Sequence, residues 1–210
     1  MALITQTFMI PTDEGVLEAK RWLPETVRDQ NALPWALLCH PHPLYGGSMD
    51  DGVLAFAREA FVMRGFGVCG FNLPGVGQST GRSVGDLSET ACLEAVCRYF
   101  SLEGLTLEWA AGYSYGGALL TSGLGLLPSD TKVLLIAPAM GLLNDAHLNS
   151  SQTHRVRGAV VGSADPFSTA TAIRASFPGI ELQALEGLDH FFSSGGDQLT
   201  RALAVIIDGT

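Results

Sequence analysis

LTLEWAAGYSYGGALLTSGLGLL, residues 105–127, opens as a short apolar run, breaks at Gly112-Tyr113-Ser114-Tyr115-Gly116, and continues as an alanine- and leucine-rich segment. The reading is strand, tight turn, helix. A G-x-S-x-G in that setting is a nucleophile elbow, in which the serine takes a strained backbone conformation that lifts its Oγ clear of the sheet edge. Gly112 and Gly116 let the incoming strand and outgoing helix pass closer than a Cβ permits, and Gly117 extends that clearance. The helix begins at the serine. Its free N–H groups and positive dipole end therefore lie where an oxyanion would form, and the Tyr115 N–H is a natural donor to it.

A second G-x-S-x-G occurs at Gly77-Gln78-Ser79-Thr80-Gly81. It follows Pro74-Gly75-Val76 and runs into Gly81-Arg82-Ser83-Val84-Gly85, so it has neither a strand before it nor a helix directly after it. It reads as a loop.

The 210 residues suffice for one well-buried domain, and 47% hydrophobic with 16% charged residues is the composition of a compact core. A single domain over 1–210 is expected. The net charge of −9, without a run of Lys or Arg, argues against nucleic acid and anionic membrane surfaces and for a small neutral substrate. The start, MALITQTFMIPTDEG, has no basic region ahead of its apolar residues, and no uninterrupted apolar run reaches about 18 residues. A cytoplasmic protein is expected. Cys39, Cys69, Cys92 and Cys97 show no C-x-x-C spacing and read as reduced packing residues.

Along the chain, β-branched apolar segments alternate with helical ones, without repeats or a linker. Residues 2–10 and 16–22 read as an antiparallel edge hairpin, and 35–39, 67–71, 105–111, 132–137, 158–162 and 181–185 as further strands. Helices are expected over 50–64, 86–100, 166–176 and 196–207, besides the one after the elbow. The pattern predicts an α/β fold: a mostly parallel twisted sheet of about eight strands, the second antiparallel, with helices on both faces. In such a sheet, catalytic groups belong at the carboxyl ends of strands.

The remaining candidates fall there. Strand 158–162 ends in Ser163-Ala164-Asp165, and strand 181–185 ends in Glu186-Gly187-Leu188-Asp189-His190. Ser114, Asp165 and His190 thus follow in the order nucleophile, acid, histidine, each after a different strand. With the loop Cys39-His40-Pro41-His42-Pro43-Leu44-Tyr45-Gly46-Gly47-Ser48-Met49 and the segment Phe71-Asn72-Leu73-Pro74-Gly75-Val76-Gly77-Gln78-Ser79, the whole chain resembles the α/β-hydrolase superfamily, in particular its small lidless bacterial serine esterases.

The residue types define the expected chemistry. Neutral His190 would take the Ser114 proton and return it to the leaving group, while Asp165 fixes the imidazole tautomer and stabilises the imidazolium. Asp145 and Asp189 are rivals for the acid, and Asp165 could also cap a helix starting near Pro166. The resemblance places a second oxyanion N–H in the loop after strand 35–39. Pro41 and Pro43 have no N–H, which leaves His42, the first choice by position, and Leu44. Tyr45, Met49, Tyr113, Met140, Phe167 and Phe191 are the expected pocket residues, and Tyr115 is the other aromatic near the serine.

The resemblance implies a carboxylesterase acting on short or medium acyl chains, with thioesterase and peptidase as relatives on the same machinery and no cofactor. Residues 138–157 leave no room for a lid. A separate possibility is a metal centre, because His40-Pro41-His42 with Asp50 or Asp51 could place two imidazoles on one cation. That reading lacks the further strand-end histidines of a metallohydrolase barrel, and no metal is expected.

Overall fold

The strands are β1 (Leu3–Thr12), β2 (Gly15–Pro24), β3 (Pro34–Cys39), β4 (Gly67–Phe71), β5 (Thr106–Tyr113), β6 (Lys132–Ile136), β7 (Val156–Gly162) and β8 (Glu181–Leu185) in a computed structural model describing residues 2–148 and 151–209. The expected 1–210 domain thus includes 1, 149, 150 and 210, which lie outside the described residues. All eight strands form one sheet in the order β1-β2-β4-β3-β5-β6-β7-β8. β2 runs antiparallel to both β1 and β4, and every other pairing is parallel. This is an α/β-hydrolase fold without a lid domain.

The described residues form the helices α1 (Gly52–Val62), α2 (Thr90–Leu102), α3 (Tyr115–Ser122), α4 (Asp145–Leu148), α5 (Ala170–Ser176) and α6 (Gly196–Asp208) around the sheet. The central strands are apolar on both faces because each face has its own core. Trp35, Leu37 and Cys39 of β3 pack with Leu93, Val96 and Phe100 of α2 and Leu119 of α3. Their neighbours Ala36 and Leu38 point the other way, to Leu54, Ala57 and Phe61 of α1 and Leu199 and Leu203 of α6. The period-two alternation of a strand thus feeds two apolar layers, where each fully buried Leu or Phe contributes about 1.5–3 kcal/mol.

Side chains cap two of the helix starts, those of α1 and α5. Asp51 accepts from the Val53 and Leu54 N–H groups at 2.8 and 3.4 Å, so α1 begins at Gly52. The helix expected over 86–100 begins only at Thr90, because Glu89 turns its carboxylate back onto the Ser83–Gly85 loop instead of out to solvent. The helix expected over 166–176 begins at Ala170, capped by the Thr169 hydroxyl on the Ala172 N–H at 3.2 Å. Asp165 closes a tighter turn ahead of it.

All four cysteines are free; Cys39, Cys69 and Cys92 are buried. Burial pushes the Cys69 and Cys92 thiols up to about 12, which suits packing groups and not thiolate nucleophiles. Among the described residues, no helix is long and apolar enough to cross a membrane.

Candidate active site

The elbow follows from steric exclusion. Strand β5 ends at Tyr113 and α3 starts at Tyr115, so the whole turn is made by Ser114, at φ 53° and ψ −114°. That is a costly conformation for a residue with a Cβ. It is held from several sides: the Ser114 N–H donates to the Ile136 carbonyl at 2.9 Å, and the Ser114 carbonyl accepts from Ala139 N–H at 3.0 Å. The crossing leaves no room beside it. A Cβ on Gly112 would stand 2.4 Å from the Gly116 carbonyl group, and one on Gly116 would stand 2.2 Å from the Cys39 carbonyl oxygen. Both obstacles are backbone. Gly116→Ala is therefore expected to destabilise the fold by about 3 kcal/mol or more, read as a drop in Tm and in the denaturant midpoint; an unchanged midpoint would contradict the crossing described.

The sheet brings the expected serine, histidine and aspartate together. His190 Nε2 lies 3.0 Å from Ser114 Oγ, and His190 Nδ1 lies 2.7 Å from Asp165 Oδ2. The second carboxylate oxygen of Asp165 accepts from the Phe167 and Ser168 N–H groups at 2.7 and 2.9 Å. One oxygen thus shapes the loop while the other faces the imidazole, so the turn-forming role and the histidine contact coexist. The Asp165 side chain has no exposed surface, and that of His190 is 8% exposed. The imidazole is boxed by rings: Tyr113, Phe167 and Phe191 stand 5.5, 5.3 and 5.4 Å from it, and the Tyr113 hydroxyl donates to the His190 carbonyl at 3.1 Å. The other acids lie elsewhere. Asp145 is exposed at the start of α4, and Asp189 accepts from Phe191 N–H and Ser193 within its own loop.

Ser114 and His190 open into a cavity of about 520 Å³. Tyr45, Tyr113, Phe167 and Phe191 line it, with His42, Tyr115, Ala139 and Leu142. Tyr45, Phe167 and Phe191 are 87%, 64% and 63% exposed, so they form an open rim, whereas Tyr113 is buried at the base. Two expected lining residues are absent from it. Met49 is buried at the side of β4, its N–H donating to the Asn72 side chain at 2.8 Å and its Cβ against Gly70. Met140 packs onto the core beside α3, because a short 3₁₀ turn over Met140–Leu142 directs Leu142 to the cleft in its place. Asp51 also lines the cavity and had no signal as a wall residue beyond its helix-capping position.

At the loop after β3, the Leu44 N–H donates to His42 Nδ1 at 3.2 Å, so it is already occupied. The His42 N–H donates to no other group among the described residues. The His42 ring lies near those of Tyr45 and Tyr115, with centroids 4.5 and 4.9 Å away. His40 is buried and both of its nitrogens are engaged, Nδ1 with the Pro41 carbonyl at 2.6 Å and Nε2 with the Leu73 N–H at 3.0 Å. Burial lowers its pKa to about 4, so it stays neutral and braces the loop. Asp50 pairs with Lys20 at 2.6 Å and Asp51 caps α1. His40, Asp50 and Asp51 and the Nδ1 of His42 thus each take part in a hydrogen bond or ion pair within the protein.

Known proteins place this architecture. No family model matches the chain. An α/β serine hydrolase without a lid from Xanthomonas campestris superposes with a TM-score of 0.82 at 25% identity, covering 98% of this chain and 94% of that one. An α/β serine hydrolase homologue from Coxiella burnetii gives 0.79 at 25% identity, covering 95% of each chain. An uncharacterised protein of Rickettsia prowazekii is 24% identical over 182 residues, 81% of this chain and 76% of its own. The chain resembles the α/β-hydrolase superfamily over nearly its full length, with lidless serine hydrolases among its neighbours. That likeness supports a hydrolase.

Proposed function

We propose that this protein is a serine hydrolase acting as one domain, cleaving small carboxylic esters of short or medium acyl chain through an acyl-enzyme intermediate. The observation that carries the reading is the continuous hydrogen-bonded line from Asp165 through His190 to Ser114, ending at the base of an open aromatic cleft. Ser114 Oγ attacks the ester carbonyl carbon as His190 Nε2 takes its proton. The carbonyl π pair moves to oxygen, and the resulting oxyanion is received by the Tyr115 and His42 N–H groups. On collapse the C–O bond to the alcohol breaks, and the alcohol leaves with the proton from His190. Water then repeats both steps on the acyl-enzyme, releasing the acid and restoring Ser114.

General-base assistance of this kind accounts for about 10²–10⁴ in rate, and each oxyanion donor for about 10²–10³. Tyr115 suits the donor role because it is the first residue of α3, with no carbonyl one turn earlier to occupy its N–H. His42 is favoured over Leu44 because the Leu44 N–H is already bonded.

The cleft shape argues for acyl chains of limited length. Each methylene that moves from water into the pocket contributes about 0.8 kcal/mol, but the rim formed by Tyr45, Phe167 and Phe191 gives way directly to solvent. Between β6 and β7 the described chain holds only single turns and the four-residue α4, with no amphipathic cover for a long trench. kcat/KM for p-nitrophenyl esters should rise over the first few acyl carbons and then fall. A maximum at dodecanoyl or longer, or a jump in rate once the substrate forms micelles, would refute this. Acyl-CoA thioesters and aminoacyl amides in the same panel test the thioesterase and peptidase relatives, and either one outrunning every oxygen ester would displace the esterase reading.

A further inference from the structure

Bonded to the side chain of the residue after the elbow serine is a carboxylate that the chemistry above does not use. Glu89 is 6% exposed. One of its oxygens accepts from the Ser83 hydroxyl and from the Val84 and Gly85 N–H groups, the latter two at 3.0 and 3.2 Å. The other accepts from the Tyr115 hydroxyl. The same phenol oxygen accepts from the Leu87 N–H at 3.3 Å. Donors to this carboxylate thus come from the Ser83–Gly85 loop and from the residue that follows the nucleophile.

The loop so held is packed against the other oxyanion residue. A Cβ on Gly85 would stand 2.5 Å from His42 Cε1, and the Tyr115 ring centroid lies 4.9 Å from that of His42. Gly85 and Tyr115 thus both neighbour the His42 ring, and Glu89 accepts from the Gly85 N–H and from the Tyr115 hydroxyl. We infer that Glu89 is a positioning residue for the oxyanion hole, aligning the Tyr115 N–H through the phenol and the His42 N–H through Gly85. This rests on the serine-hydrolase reading given above.

The state of the carboxyl agrees with that role. Burial alone would raise its pKa, but the hydrogen bonds from Ser83, Tyr115 and Gly85 outweigh burial and hold it below the ordinary carboxylate range. The Tyr115 phenol is pushed up by burial and by its bond to Glu89, so it remains a donor. Charge-assisted hydrogen bonds of this kind are stronger than neutral ones, which suits a carboxylate that holds its neighbours in place.

Glu89→Gln, Tyr115→Phe and the double variant test the inference with p-nitrophenyl butyrate and with a trifluoromethyl ketone, which binds serine hydrolases as a tetrahedral adduct and so reports the oxyanion geometry. Displacing a donor by a fraction of its bond length costs less than deleting it, so each single variant should lose about 10–100-fold in kcat with KM within about threefold. The ketone should weaken in step with kcat/KM, and the double variant should be no worse than the poorer single one. A brace that served only folding would lower Tm and leave kcat and ketone affinity of the folded fraction unchanged, which would overturn the inference. Wild-type kcat in Tyr115→Phe would overturn it too, because the bond to the phenol would then be idle. Should Glu89→Gln not fold, Tyr115→Phe decides alone, since it removes one hydroxyl and no charge. Fluorophosphonate labelling of the unmodified protein separates the two levels: no adduct on Ser114 sinks the serine-hydrolase reading itself, whereas an adduct together with unaltered variants sinks only the role of Glu89.

Discussion

Ser114→Ala should lower kcat on p-nitrophenyl butyrate by about 10⁴-fold or more, leaving only what the oxyanion donors and substrate binding achieve with water as the nucleophile. The expectation rests on the strained turn at Ser114, φ 53°, with His190 Nε2 3.0 Å from the hydroxyl. Ser79, at the centre of the other G-x-S-x-G, is the natural control. Its hydroxyl donates to the Asn72 carbonyl at 2.7 Å and accepts from the Glu18 N–H at 2.8 Å, so it ties the loop after β4 to β2 and faces no histidine. Ser79→Ala should leave kcat within about twofold while costing about 1–2 kcal/mol of stability from the unsatisfied partners. A fluorophosphonate adduct mapped by mass spectrometry should fall on Ser114. An adduct on Ser79, or on no serine, would remove the basis of the proposed mechanism.

The elbow and the sheet were readable because their steric demands are written in residue types. Gly112 and Gly116 exist for a backbone crossing that no side chain could fit, and the near-continuous apolar run 35–39 declares a strand covered on both faces. Asp165 and His190 were placed by position alone, each just past a strand end, and the parallel pairing of β6, β7 and β8 brings those ends level. What could not be read depends on the path of a loop. Met49 was expected in the pocket, yet the left-handed turn at Gly46, with φ 86°, and the bond from Met49 N–H to Asn72 direct it inward. Apolar residues of a site loop look alike in sequence whether they face substrate or core. Glu89 was missed for a different reason: a glutamate at the start of a helical pattern ordinarily reads as a charge favourable to the helix dipole. Its actual partners lie four to six residues back and at Tyr115, across a contact that no spacing encodes.

Asp165→Asn is expected to cost about 10⁴-fold in kcat with the fold intact, because it alters which His190 nitrogen carries the proton and little else. Asp165 uses its oxygens differently: Oδ1 accepts from the Phe167 and Ser168 N–H groups, and Oδ2 meets His190 Nδ1 at 2.7 Å. In asparagine, the carbonyl oxygen takes the place between the two N–H groups, since an amide nitrogen there would oppose two donors. The amide NH₂ then faces His190. A donor at that point requires Nδ1 to accept, which moves the imidazole proton to Nε2 and leaves no lone pair toward the Ser114 hydroxyl. The turn over 165–168 survives, so Tm should change little, whereas Asp165→Ala would lose the turn and the histidine contact together and could not separate them. Asp145→Asn should leave kcat within about twofold, as that carboxylate is exposed on α4. Asp189→Asn should act mainly on its own loop, where the side chain accepts from Phe191 N–H and Ser193. Turnover measured for the three asparagine variants beside their melting curves decides the assignment: a damaging Asp145→Asn or Asp189→Asn, with Asp165→Asn near wild type, would show that the orienting acid is not Asp165.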